Sequence, residues 1–322
     1  MTSFLEYLVR WPLVPPLSLT PIPRSENLVF RLRDGQGGRF ILRLHRPGYH
    51  TLAEVMSELN WIAALRHDTG LQVPEVVPAR DGSPVLPLPV AGETSPRLAV
   101  LFVENPGVLP NENDPDLPGL FSALGAAAAL CHLHAASWVR PVGFARPDWT
   151  IATTLGANGI WGDWKAAPGL SDADLVVLAK TEMRLMKLFD AYGTASDRFG
   201  LIHNDMRPSN FLWHDKRLRL IDFDDCGFSW FIADFAASVS WFEADPRVPD
   251  LFRRWLEGYR RHRALSDADI AMAGPAVMAR RLLLLAWSAS RAETDLAAAH
   301  AKGFAEGTVK LARKFLDGVG LV

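Results

Sequence analysis

Hydrophobic and polar positions alternate with a period of two over residues 27–32 and 39–44, with Asp34-Gly35-Gln36-Gly37-Gly38 between them. Two half-buried strands joined by turn residues predict a hairpin, because successive strand side chains face opposite ways. Over residues 51–67 the period lengthens, and Leu52, Val55, Met56, Leu59, Ile62 and Ala63 recur at helical spacing as one apolar stripe. Thr51 with Glu54 three residues on is a capping box at its start, and Gly70 marks its end. Val73-Pro74 begins an extended segment, and the unbroken apolar run over residues 98–103 predicts a buried strand.

Between residues 104 and 118 the chain carries Pro106, Gly107, Pro110, Pro115 and Pro118 among several Asn and Asp residues, a composition suited to a hinge. Beyond it, helical patterns cover 120–138, 172–192, 232–242, 249–262 and much of the tail after Pro275. The expected fold is α+β and bilobal. A small antiparallel-sheet lobe with one key helix spans residues 1–104, a hinge 105–118, and a larger, mostly helical lobe 119–322.

Composition adds bounds. A chain of 322 residues exceeds one typical core, and 49% hydrophobic with 22% charged residues is ordinary globular composition. A net charge of −2 gives no electrostatic case for nucleic acid or an anionic membrane as partner. Arg253-Arg254 and Arg260-Arg261 stand opposite Leu251, Phe252, Trp255 and Tyr259, the pattern of a solvated helix face. The 2 cysteines, Cys131 and Cys226, have neither disulfide-scaffold nor zinc-site spacing, which fits a reducing cytoplasm. The N-terminus lacks a basic start with a sustained apolar stretch, and no run approaches ~20 uninterrupted apolar residues, so a soluble cytoplasmic protein is expected. Oligomeric state is not legible.

Two short apolar runs in the helical half end in polar clusters. Residues 200–202 lead into His203, Asp205 and Asn210, and residues 218–221 lead into Asp222, Asp224 and Asp225. Strand ends are rigid and wet, which suits chemistry. Phosphoryl transfer from ATP needs hard oxygen ligands for Mg²⁺ and an acceptor for the proton of the attacking hydroxyl. Asp205 suits the second task, and Asn210 with Asp222 the first. A neutral amide beside a carboxylate limits the negative charge next to a triphosphate.

These residues also carry a resemblance. His203-Asn204-Asp205-Met206-Arg207-Pro208-Ser209-Asn210 resembles the H-G-D-x-x-x-x-N catalytic loop of the aminoglycoside phosphotransferase and choline kinase group, and the H-R-D-x-x-x-x-N loop of protein kinases. Ile221-Asp222-Phe223-Asp224 resembles their metal-binding strand end, and Asp234-Phe235-Ala236 the D-L-A whose Asp braces the catalytic loop. The resemblance implies a protein kinase-like fold and an ATP- and Mg²⁺-dependent transfer of phosphate to a small-molecule hydroxyl. Alternatives are transfer to protein Ser/Thr side chains, or a nucleotide-binding module with impaired catalysis.

In the N-terminal lobe the resemblance puts Arg43 where the family's ATP-binding strand carries Lys, and Glu58 where its helix carries the partner Glu. Ser25-Glu26-Asn27 resembles the short phosphate loop of small-molecule kinases, and Phe102, Val103 and Glu104 the strand whose backbone meets adenine. Two departures stand out. Asn204 replaces the usual Gly, and Asp224-Asp225 make an unusually acidic strand end, whether as metal ligand, contact to a cationic substrate or turn. Arg207 is expected to steady the γ-phosphate. His132, His134 and His203 are read as packing or loop support. Trp161, Trp164, Trp241, Phe242 and Trp287 are candidates for a cleft wall, and Glu243, Arg280 and Arg281 for specificity.

Overall fold

The computed structural model describes residues 4–22, 27–292 and 303–322. The chain forms two compact units interleaved in sequence. The first comprises Met1–Gly107, Val139–Arg146 and Arg219–Asp224, the second Val108–Trp138, Pro147–Leu218 and Asp225–Val322. The strand end that carries Asp222 and Asp224 therefore belongs to the sheet-bearing unit, although more than a hundred residues separate it from the strands (about 115, counted along the chain).

In the first unit, β1 (Ser18–Ile22), β2 (Leu28–Arg33), β3 (Arg39–Leu44), β4 (Leu86–Leu88) and β5 (Arg97–Val103) form an antiparallel sheet of order β1-β2-β3-β5-β4. The expected hairpin pairs Phe30 with Leu42 and Leu32 with Phe40. The sequence pattern did not reveal β1 and β4, which carry Pro21 and Pro87. Both are edge strands, where proline's missing N–H costs no ladder bond. Phe30, Leu32, Leu42, Leu44, Ala99 and Leu101 share a core with Phe4, Leu8, Trp11 and Leu13. Strand alternation sends Arg43 to the other face. The helix α1 (Leu52–Asp68) has the predicted capping box and buries Val55, Glu58, Leu59 and Ile62, while Leu52 stays 54% exposed.

The second unit contains α2 (Leu117–Ser137), α3 (Ile151–Thr154), α4 (Asp172–Tyr192), β6 (Phe199–Ile202), β7 (Phe211–His214) and the start of β8 (Arg217–Leu220). It continues through β9 (Gly227–Trp230), α5 (Ala233–Ser238), α6 (Val248–Tyr259), α7 (Asp267–Ala271), α8 (Ala273–Ser290) and α9 (Phe304–Leu316). β6 pairs antiparallel with β9, Leu201 opposite Phe228. The helix expected over 232–242 stops at Ser238, and Trp241 takes a left-handed backbone with φ of 79°.

α2 and α6 approach closely because glycine faces backbone on each side. A Cβ at Gly125 would lie 1.9 Å from the Trp255 carbonyl oxygen, and one at Gly258 would lie 1.8 Å from that of Ser122. Leu117–Ser137 and Asp267–Ser290 are, by length and composition alone, long and apolar enough to cross a membrane. However, 56% and 78% of their apolar windows are buried inside the protein, so these faces serve its core.

Candidate active site

β6 delivers the chain to a loop in which His203, Asn204, Asp205 and Asn210 are all buried. Asp234, in the first turn of α5, accepts the backbone amides of His203 at 3.3 Å and Asn204 at 2.6 Å. His132 on α2 reaches Asp234 through Nε2 at 2.9 Å and the Tyr259 hydroxyl of α6 through Nδ1 at 2.9 Å. Arg263 donates to the same hydroxyl at 2.9 Å. Burial lowers the His132 pKa despite the opposing pull of Asp234, so the ring is neutral. Its Nε2–H then donates to Asp234, and Nδ1 accepts from Tyr259, whose phenol burial pushes up to about 12. His132 is a structural link here. The Asn204 departure has a conformational reason: its φ is 65°, in the left-handed region where asparagine is among the best-tolerated side chains after glycine.

Asp205 is held on both oxygens. Oδ1 accepts from Arg280 Nη2 at 2.5 Å, and Oδ2 from Asn210 Nδ2 at 2.5 Å and Arg207 Nε at 3.2 Å. Burial raises its pKa, but Arg207, Arg280 and His203 outweigh that and keep the carboxyl below its ordinary range. The Asp205 amide donates to His203 Nδ1 at 3.3 Å, which puts His203 in the loop's support. Both neighbours of Asn210 Nδ2 are acceptors, the Asp205 carboxylate and its carbonyl at 3.0 Å, so the amide orientation is fixed. Asn210 Oδ1 is left buried without a hydrogen bond among the described residues. An orphaned hard oxygen is the donor a magnesium ion takes, so the residue fits the metal that the resemblance implies.

In the first unit, Arg43 Nη2 lies 2.8 Å from both oxygens of Glu58, and both side chains are buried. Arg43 Nη1 is 3.8 Å from Asp222 and 4.0 Å from Asp224. Burial opposes its charge, but Glu58, Asp224 and Asp222 together raise its pKa and keep it cationic. Asp222 adopts φ of 62°, a conformation uncommon outside glycine and often found at functional positions.

Asp224, open between three roles on sequence, is a hub of this unit. It accepts from Asn27 Nδ2 at 2.9 Å and lies 3.1 Å from His45 Nδ1, while its carbonyl meets His50 Nε2 at 2.8 Å and Arg146. Burial raises the Asp224 pKa, but His45, Arg43 and His50 outweigh it and hold the carboxylate well below its usual range. His45, Glu58 and Asp224 bring potential ligand atoms within 4.8 Å of one another, but Arg43 already engages Glu58. His45, His50 and Arg146 were missed as site residues because their partner lies far away in sequence.

Asn27 also accepts the Arg46 amide at 2.9 Å, and Ser25 lies outside the described residues. Phe102 carries the Arg43 guanidinium 5.2 Å above its ring centroid. The Val103 amide donates to the Glu75 carbonyl at 2.8 Å and that of Glu104 to Arg39 at 3.0 Å, so both donors serve the sheet in this conformation. The Glu104 side chain pairs with Arg31 at 2.6 Å and Arg39 at 2.7 Å. Trp164 is fully buried and bonds Glu182, a packing role, whereas Trp161 lies 5.2 Å from the Arg280 guanidinium and Trp241 packs edge-on to Trp287. Glu243 is neutralised by Arg281 at 2.6 Å, inside the unit.

The model of the phosphotransferase enzyme family, APH, matches residues 18–265. Among solved structures the chain is similar to a microcompartment-associated aminopropanol kinase, with 39% identity over 98% of both chains and a TM-score of 0.89. It shares the fold of an amicoumacin kinase solved with AMP-PNP, Ca²⁺ and Ami, with 23% identity over 99% of this chain and 93% of that one and a TM-score of 0.79. Among sequence relatives, the serine/threonine protein kinase RdoA of Salmonella typhimurium (strain LT2) is 25% identical over 272 residues, 84% of this chain and 76% of the relative. The expected α+β, kinase-like fold is thus borne out, and the chain belongs to the phosphotransferase enzyme family.

Proposed function

We propose that this chain is an ATP- and Mg²⁺-dependent kinase that phosphorylates a hydroxyl of a small amino alcohol. The observation that carries the reading is the buried Asp205 carboxylate, fixed on both oxygens beside an Asn210 oxygen that has no hydrogen-bond partner among the described residues. Similarity to the aminopropanol kinase over nearly the whole chain supports the acceptor class, and the nucleotide and divalent ion bound by the amicoumacin kinase support the cofactors.

In this reading Asp205 receives the hydroxyl hydrogen bond. Its depressed pKa makes it an orienting acceptor more than a strong base, which suffices where the transition state is loose and proton transfer late. Asn210 Oδ1 and Asp222 would hold the metal, which would supply neutralising charge beside the phosphates. Arg43, held by Glu58, would meet phosphate oxygens as a fixed cation, and Asn27 would belong to the phosphate-binding loop.

The test is ATP consumption with aminopropanol, other amino alcohols, sugars, homoserine-like amino acids and aminoglycosides, with and without Mg²⁺. Asp205→Asn should retain the fold by circular dichroism and lose ~10²–10⁴-fold in turnover. Unchanged turnover in that variant removes the assignment. The RdoA likeness makes a protein acceptor the second reading. Label from ATP that enters the protein fraction of an extract, and no metabolite, would establish it instead.

A further inference from the structure

Resting on the kinase reading, we propose that Arg280 is a positioning residue that selects which lone pair of Asp205 meets the acceptor hydroxyl. Arg280 sits on α8, 6% exposed, and engages three groups on two separate segments of the second unit. Nε donates to Ser240 Oγ at 2.9 Å, Nη1 to the Asn204 carbonyl at 3.3 Å and Nη2 to Asp205 Oδ1 at 2.5 Å. A planar guanidinium with three fixed partners cannot rotate without breaking at least one of them.

A carboxylate offers about four lone-pair positions, two on each oxygen. Asn210 and Arg207 use both positions on Oδ2, and Arg280 uses one on Oδ1. Among the described residues one position remains, on Oδ1, next to the Arg280 contact. The hydroxyl must donate there, so the guanidinium fixes both the oxygen and the direction of approach. Arg207 and Asn210 hold only Oδ2 and leave the carboxylate free to swing about that edge.

Arg281, the next residue, anchors the same turn of α8. It bonds Glu243 at 2.6 Å, Thr308 at 2.8 Å and the Phe304 carbonyl at 3.1 Å. Successive buried arginines thus tie one helical turn to the catalytic loop on one side and to α9 on the other.

The experiment compares wild type, Arg280→Ala and Arg280→Lys for phosphoryl transfer to the best acceptor. Arg280→Ala should lower kcat on the order of 10²-fold, leave nucleotide KM within about 2-fold, and regain part of kcat when guanidinium is added. Arg280→Lys keeps the charge but not the fork, and should fall between the two. Equal kcat in wild type and Arg280→Ala overturns the proposal, as does a loss that guanidinium does not repair at unchanged thermal stability. If wild type itself transfers no phosphate to any acceptor, the kinase reading fails, and a crystal structure of Arg280→Lys decides the positioning claim. A rotated Asp205 carboxylate supports it, and an unmoved one overturns it.

Discussion

His132 Nε2 and Asp234 Oδ2 lie 2.9 Å apart, with neither side chain exposed to solvent. This bond supports the carboxylate on which the amides of His203 and Asn204 rest. Asp234→Ala would leave those amides and the His132 donor unpaired inside the protein. A loss of about 3 kcal/mol in stability is expected, with turnover falling further than binding. Urea denaturation beside initial-rate kinetics checks both, and a stability change under about 0.5 kcal/mol contradicts the bracing role.

Arg43 stands where the resemblance implies a lysine, and its partner Glu58 is fully buried. Glu58→Gln removes the nearest countercharge of a guanidinium that burial already penalises. A cost of about 3 kcal/mol is expected. Arg43→Lys keeps the charge with a single ammonium in place of the fork, and nucleotide KM should rise at least about 10-fold, near 1.4 kcal/mol. An unchanged KM would show that the point charge alone matters.

Stability should depend on His50. Burial lowers its pKa from 6.5 to about 4, against the attraction of Asp224. Between those values the unfolded chain binds the proton and the folded chain does not. The contribution is therefore present above pH 6.5 and is lost as pH falls through about 4. The whole effect is on the order of 3 kcal/mol. His50→Gln should flatten the midpoint of thermal unfolding across this window, and an unaltered slope speaks against the assignment.

The legible parts of this molecule are those whose causes are local in sequence. The capping box of Thr51 and Glu54, the 39–44 strand and the spacing of Asp205, Asn210 and Asp222 all rest on short-range rules. What escaped was set by distant neighbours. Arg280 stands out in the sequence only as a specificity candidate by position, and its place beside Asp205, 75 residues away, comes from the fold. Asp224 meets Asn27 across 197 residues, and β1 and β4 were hidden by prolines that only an edge position permits. The short helix α5 was overread because the apolar pattern continues past Ser238 into a turn buried for tertiary reasons.

The bare glycines between α2 and α6 reach further than packing. Gly258 immediately precedes Tyr259, whose hydroxyl meets His132 from the opposite helix. The two missing methyl groups act as a gauge block, setting the separation at which that hydrogen bond closes, one link from the Asp234 carboxylate that holds the amides of His203 and Asn204. Gly258→Ala would force the Ser122 carbonyl away and cost about 1–3 kcal/mol or more. Its sharper signature would be a slower enzyme whose substrate contacts are all intact, detuned through the thickness of a helix pair.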